Sequence, residues 1–295
     1  VSRPRAQRGV ALLSVLLITA LVTLIVSNML ARQRLSLASS SHLVQHQQLW
    51  QLALSGESWA RGQLLEDARS EGGLLVTHLG QHWARPAPAF PIEGGRIAIQ
   101  IVDLGARLNL NSTLVQDDVI PRARYQRLLA LAQIKPHDPA ALLRPRDRLG
   151  RPLPLSDISE LRPLPEVSAE TLQRLAPLVA TYEQGHINLN TAGALVLASI
   201  EGIDLPTART LAQTRPAKGY PTVAAFLANP MLQGRDITAR GLSVNSRQFR
   251  ATIDVELHGR RLRLVSDLRV MSADQVRVQQ RTLLPAPLND HSLTE

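Results

Sequence analysis

Residues 8–31 read Arg-Gly-Val-Ala-Leu-Leu-Ser-Val-Leu-Leu-Ile-Thr-Ala-Leu-Val-Thr-Leu-Ile-Val-Ser-Asn-Met-Leu-Ala. From Val10 to Ala31 the stretch carries no charge. A run of about 20 apolar residues is what one helix needs to cross a bilayer. The reading is therefore a single transmembrane helix over residues 10–31. Arg3, Arg5 and Arg8 precede it, followed by Gly9. A secretory signal peptide places its small-residue cleavage site after the apolar run. Here the run passes into Arg32 and Arg34 with no Ala-x-Ala site, and the small residue, Gly9, stands in front of it. Basic residues favour the cytoplasmic side. The balance around the span predicts a cytoplasmic N-terminus and an exported C-terminal body.

Further along, Leu49, Leu52, Ala53, Gly56, Trp59, Ala60, Gln63 and Leu64 step by three and four, the spacing of one helical face. The helix is predicted to end before Gly72-Gly73. Gly56 and Gly62 are costly inside a helix and mark expected points of close approach by a sheet or partner. Pro86, Pro88 and Pro91 break the chain. Ile97, Ile99 and Ile101 then alternate against Arg96, Ala98 and Gln100, which reads as a half-buried strand. Phe249, Ala251, Ile253, Val255 and Leu257 repeat the pattern, and His258-Gly259 turns the chain back. Leu262, Leu264, Leu268 and Val270 mark a second strand; Val276, Val278 and Thr282 mark a third. Between these strands the pattern is helical. Helices are predicted over residues 123–133, 169–182 capped by Ser168, 192–200 capped by Thr191, 207–213 and 222–227. A near-repeat, Leu108-Asn109-Leu110-Asn111-Ser112 and Ile187-Asn188-Leu189-Asn190-Thr191, ends an extended segment and begins a helix in both copies.

A chain of 295 residues holds a membrane helix plus one large or two small domains. With no cysteine, disulfides, iron–sulfur clusters and thiol nucleophiles are excluded. The formal charge of +9 falls by three if Arg3, Arg5 and Arg8 are removed, and the remaining excess is arginine-rich. Such a surface raises the question of nucleic acid. Aromatics at 3% leave few side chains to stack on bases. The region from Leu197 to Arg209 resembles a DNA-binding helix-hairpin-helix, whose hairpin reads Gly-hydrophobic-Gly so that backbone amides reach a phosphate. Here it reads Gly202-Ile203-Asp204. Asp204 sets a carboxylate where the phosphate would lie, which Coulomb repulsion opposes. Arg209, Arg215 and Lys218 remain as phosphate contacts. The segment reads as a packing unit, the alternative being a membrane-tethered periplasmic DNA-binding helix-hairpin-helix protein. His42/His46 and His78/His82 have the i, i+4 spacing that can place two imidazoles on one helical face, yet neither pair carries the glutamate of a zinc hydrolase motif. Gly-x-Ser-x-Gly, the P-loop and Gly-x-Gly-x-x-Gly are absent. No catalytic residue, cofactor-binding residue or metal ligand is assigned, and the chain is read as a non-enzyme.

The glycine-led span, the two Asn-Leu-Asn segments and the inserted helical region together resemble the K-type minor pseudopilins of type II secretion, within the type IV prepilin family. The resemblance implies cleavage by a prepilin peptidase between Gly9 and Val10, methylation of Val10, and retention of the apolar helix. It places Ser14 at the fifth mature position, where most family members carry glutamate, a loss typical of the subunit at the filament tip. It implies an α+β fold: a leader over residues 1–9, an N-terminal helix over 10–71, a pilin-like β-sheet domain from 72–108 and 246–284, an inserted all-α domain over 109–245, and a flexible tail over 285–295. The implied partners are the other minor pseudopilins, the major pseudopilin, the prepilin peptidase and inner-membrane lipid, with no nucleic acid. The implied location is the bacterial inner membrane, single-pass, with the body in the periplasm. K-type pseudopilins usually carry an acidic calcium-binding loop. The matching region here, residues 142–153, is short and basic with only Asp147, and Asp117-Asp118 is a weak alternative. Calcium takes several oxygen ligands, chiefly carboxylates and carbonyls. No cofactor is therefore expected.

Overall fold

A computed structural model describes residues 7–70, 72–115, 118–148, 150, 152–183 and 185–285; within the first helix the side chains of residues 7–11, 31 and 34–43 lie outside that description. The tail expected over 285–295 falls, apart from Pro285, outside the described residues, as do the first six residues of the expected leader. The chain divides into two compact units, residues 1–52 and 53–295.

Helix α1 runs Gln7–Arg69 and ends just ahead of the glycine pair, where Gly72 adopts φ +76. Two strands follow, β1 (Phe90–Ile92) and β2 (Gly95–Asp103). The chain then passes through β3 (Leu108–Asn109), α2 (Val119–Leu131), α3 (Ala169–Leu175), β4 (Val179–Ala180), β5 (Ile187–Asn188), α4 (Ala194–Ala198), α5 (Leu205–Gln213), α6 (Val223–Leu227) and β6 (Leu242–Ser243). Three long strands close the fold: β7 (Gln248–Leu257), β8 (Arg260–Ser272) and β9 (Gln275–Leu284).

The main sheet has the order β1-β2-β7-β8-β9, antiparallel at every pairing. Strands far apart in sequence meet in the middle, with Ile99 opposite Ile253. The period-two pattern is realised: Ile97, Ile99, Ile101, Ala251, Ile253, Val255, Leu264 and Leu268 are buried on one face. The other face carries cross-strand pairs, Arg250 with Asp267 and Arg263 with Asp254, each a two-pronged guanidinium–carboxylate contact. Such pairs fix strand register at modest energetic gain when partly exposed. His258 (φ 48) and Gly259 (φ +75) supply the left-handed pair that a tight hairpin requires.

A second core fills the segment between β2 and β7. Leu110, Leu128, Leu161, Leu175, Leu189, Leu197, Leu211 and Phe226 share one apolar cluster. Several expected boundaries need correction here. The helix expected over 169–182 stops at Leu175, because Pro177 cannot donate to it and Val179 pairs with Leu108 in a short parallel ladder. The helix expected from residue 192 starts at Ala194 behind Gly193, with no side-chain cap, because the Thr191 hydroxyl is used elsewhere. Helix α2 starts earlier than expected, since Asp118 caps it at Ile120 N. The short edge strand β1 goes beyond the expected chain break, since Pro91 sits at its centre and is tolerated at the sheet edge.

Candidate functional site: the anchor segment and the buried polar junctions

In the first unit, Gly9 and Val10 lie in α1 near its start, and Ser14 is exposed four residues beyond Val10. From Leu12 to Leu30 the helix is long and apolar enough to cross a membrane, and none of that window is buried. Leu12, Leu13, Leu16, Leu17, Leu21 and Leu24 are all at least half exposed. A helix that is apolar all round needs lipid or other helices as its surroundings. Both of its threonine hydroxyls are satisfied internally: Thr19 donates to the Val15 and Leu16 carbonyls and Thr23 to the Thr19 carbonyl. This removes most of the cost of a hydroxyl in hydrocarbon.

The second unit begins with the rest of α1, which buries Ala53, Glu57, Ala60, Leu64 and Ala68. Gly56 is the point of closest approach: a Cβ built there would meet Ile253 Cγ2 at 2.7 Å and Ile99 Cδ1 at 3.4 Å. The same expectation fails for Gly62, which is exposed with nothing within 4 Å. Beside Gly56, Glu57 is 2% exposed, and its carboxylate accepts two bonds from Arg281 (2.7 and 2.8 Å) and one from Ser266 Oγ at 2.6 Å. Burial raises the Glu57 pKa, but the Arg281 and Ser266 hydrogen bonds and the Arg281 charge outweigh it and hold the group below its ordinary value. Further on, Arg61 donates to the Val276 carbonyl and Arg69 to Asp274. Asp67 is 4% exposed and accepts from the His82 and Trp83 amides, which pins the chain that leaves the helix.

The Asn-Leu-Asn repeat proves to be more than two capping sequences. Asn111 donates Nδ2 to the Leu155 carbonyl and accepts the Leu155 amide on Oδ1. Asn190 does the same with Tyr220. Nδ2 also donates to the Tyr182 carbonyl in the first copy and the Val244 carbonyl in the second, just past β4 and β6. Each asparagine thus acts as a buried peptide group joining three segments. The second copy is tied to the sheet through Asp103, at the end of β2. That carboxylate is 3% exposed and accepts from Gly105 N (2.7 Å), Asn188 Nδ2 (2.9 Å) and Thr191 Oγ1 (2.6 Å). Burial pushes its pKa up, and the donors from Ser246, Thr191, Asn188 and Gly105 pull against that rise. Sequence patterns hinted at these groups: Asp103 extends the buried register of Ile97, Ile99 and Ile101, and Ser266 interrupts that of Leu264 and Leu268.

The hairpin between α4 and α5 has a structural use for Asp204. Its carboxylate accepts the Thr207 amide at 2.8 Å as the N-cap of α5 and pairs with Arg235 at 2.8 Å. These contacts, the Thr207 amide first, hold Asp204 well below the usual carboxylate range. Of the three cations named above, Arg209 and Lys218 are exposed, while Arg215 is half-buried and donates to the Ala192 carbonyl.

His78 and His82, the pair whose side chains are both described, do not share a helical face. His78 and His82 lie in a loop and a single 3-10 turn, where His78 Nδ1 accepts the Gly80 amide and His82 Nδ1 sits 3.0 Å from Asp67. The side chain of His42 lies outside the described residues. Among the described residues no group of three or more His, Cys, Asp or Glu is arranged to hold a metal. Asp117 lies outside the described residues, and Asp118 caps α2 and pairs with Arg240 at 3.0 Å. In the region where the resemblance would place a calcium loop, the Arg144 guanidinium is held by Glu160 Oε2 (2.7 Å), the Leu153 carbonyl (2.8 Å) and the Pro154 carbonyl (2.7 Å). Glu160 Oε1 already accepts the Ser156 and Asp157 amides. Glu160, with both oxygens engaged and an arginine facing it, is not free to serve a calcium ion, which takes about 6–8 oxygens.

A helix segment long and apolar enough to cross a membrane, followed by a helical stretch that packs one face on an antiparallel sheet, defines a pilin-like subunit. Here that subunit carries a large helical layer between two neighbouring strands. A family model described as type II secretion system protein K matches residues 187–245, the second Asn-Leu-Asn unit through β6. A type II secretion system protein K of Pseudomonas aeruginosa is 31% identical over 96% of both chains. One from Klebsiella pneumoniae is 33% identical over 84% of this chain and 88% of its own. Among solved structures, the GspK-GspI-GspJ complex from the enterotoxigenic Escherichia coli type 2 secretion system matches with a TM-score of 0.68 and 27% identity, covering 82% of this chain and 99% of that one. The chain belongs to the type II secretion system protein K family. Its role is that of a minor pseudopilin in type II protein secretion, a structural component of the apparatus.

Proposed function

We propose that this minor pseudopilin is cut between Gly9 and Val10, methylated at Val10, and drawn from the inner membrane into the tip of a periplasmic filament. Its apolar segment serves first as the anchor and then as the helix–helix contact within the filament. The observation that carries the tip position is the span itself: residues 12–30 expose apolar side chains and hold no carboxylate, with Ser14 at the fifth position after the proposed cut. In related filaments a glutamate at that position is thought to meet the positive amino terminus of a neighbour already in place. An ionised group in hydrocarbon is costly unless paired. A subunit that enters first has no such neighbour, and a serine avoids the stranded charge. The likeness to a K subunit solved with I and J partners supports a complex of this chain with the other minor pseudopilins. The helical layer, residues 109–245 in this reading, would block a further subunit above it.

The body acts by binding its neighbours, not by catalysis, and faces the periplasm while the N-terminus stays cytoplasmic until extraction. No nucleic-acid partner is proposed, since Asp204 is committed to capping α5 and Arg215 to the Ala192 carbonyl. Site-specific crosslinking in cells tests the tip. Probes on the helical layer should capture other minor pseudopilins and never a second copy of this chain directly above. Repeated self-crosslinks along the shaft would refute the tip while leaving the family intact. Ser14→Glu should leave secretion unchanged or reduce it; improved secretion would count against the argument from charge.

A further inference from the structure

We propose that Arg144 is a built-in cation: its guanidinium organises the loop over residues 144–160 in the way a bound divalent ion would, so the loop keeps its structure without metal. Three guanidinium nitrogens point at three oxygens, two on the consecutive residues Leu153 and Pro154 and one on Glu160. Nε donates to the Leu153 carbonyl, Nη2 to the Pro154 carbonyl and Nη1 to Glu160 Oε2, all at 2.7–2.8 Å. Carbonyls and a carboxylate converging on one charge make up the donor set of a hard cation site, but here the charge is covalently attached. The Arg144 side chain is only 10% exposed, whereas Leu153 and Pro154 lie at the surface and the Glu160 side chain is 36% exposed, so the guanidinium is the buried member of the cluster and neutralises the oxygens around it.

The rest of the loop is arranged around that centre. Leu153 N donates to the Pro145 carbonyl, and Arg146 pairs with Pro152 in an isolated antiparallel bridge, so entry and exit run side by side. Gly150 takes φ +75 at the bend, where nothing crowds it. Glu160 closes the other side: while Oε2 holds Arg144, Oε1 accepts the Ser156 and Asp157 amides. Between these contacts sits Leu155, whose amide and carbonyl are both held by Asn111. The guanidinium therefore gathers the segment on which the first Asn-Leu-Asn unit closes. A planar fork can satisfy three fixed acceptors at once, which a lysine ammonium on a flexible stem does less well.

The test uses the full chain in detergent micelles, with amide exchange read on peptides covering residues 153–160 and thermal unfolding read alongside. For the wild type, excess calcium and excess chelator should give midpoints within about 1 °C of each other, since a ligand that does not bind cannot shift stability. Exchange in the loop should also match in the two conditions. Arg144→Ala should raise that exchange roughly tenfold or more, with or without calcium, by releasing three acceptors and unpairing Glu160. Arg144→Lys should fall between. If Arg144→Ala does not accumulate, Arg144→Lys alone must show the faster exchange. Calcium raising the wild-type midpoint by several degrees, calcium-dependent protection of the loop, or wild-type exchange in the Arg144 variants would each overturn the proposal.

Discussion

The two stretches of α1 use the same secondary structure in opposite ways. Over Leu12–Leu30 the helix is apolar and exposed, and the Thr19 and Thr23 hydroxyls are turned back on its own backbone. From Ala53 onward one side is packed on the sheet, with Gly56 against Ile253 and Glu57 against Ser266, while Gly62 faces solvent. In the proposed assembly the first stretch would exchange one apolar environment for another. The second is built to stay where it is. A charge is excluded from the first but tolerated in the second, because Arg281 reaches Glu57 from β9.

The most direct way to break this contrast is to fill the close approach. Gly56→Leu should be the most damaging change, costing about 3 kcal/mol or more, since even a Cβ meets Ile253 at 2.7 Å. Circular dichroism melts of the full chain would read it, and a wild-type midpoint would contradict the packing described. Next comes the buried pair, with an asymmetry. Arg281→Ala should cost about 3 kcal/mol, because it strands a carboxylate that is 2% exposed. Glu57→Gln should cost less, because Arg281 is 43% exposed and can turn to water. The reverse order would show that the charge on Glu57 is not the buried partner that matters.

Gly62→Ala should move stability the other way, by about 0.5–1 kcal/mol in favour of the fold, since the new methyl touches nothing and helix propensity improves. The smallest effect is in pH. Glu57 has its folded pKa depressed below 4.5, so its contribution is present above that value and lost as pH falls through the folded pKa. Asp103 has the opposite sign: its folded pKa is raised above 3.8, so its contribution is present in acid and lost as pH rises. The difference in midpoint between wild type and Glu57→Gln should therefore shrink below pH 4.5. A difference that grows in acid would reverse the sign assigned to Glu57.

Much of this was legible in local patterns. Strands β2, β7 and most of β8 follow a two-residue alternation that needs no knowledge of distant partners, whereas β9 buries only Val276; the end of α1 is marked by Gly72-Gly73. The apolar segment is likewise a property of composition alone. What could not be read is polar and long-range. Ser266 looks like a break in an apolar stripe until Glu57, 209 residues away, is placed beside it. Thr191 looks like a helix cap, yet its hydroxyl goes to Asp103, 88 residues earlier, and α4 begins later as a result. The asparagine pairs announced themselves as a repeat, but not that each would clamp the backbone of a third segment. Arg144 was visible only as part of a basic loop; that its charge is consumed by Glu160 and two carbonyls is a fact of the fold.

The measurement that bears most directly on the account is the mass of the N-terminal peptide after expression of the natural precursor with a prepilin peptidase. The account predicts a peptide that begins at Val10 and carries one methyl group on its amino nitrogen, and it predicts loss of that product when Gly9 is replaced by a bulky residue. A peptide that retains residues on the N-terminal side of Val10, or one cut on the far side of the apolar segment, would contradict it.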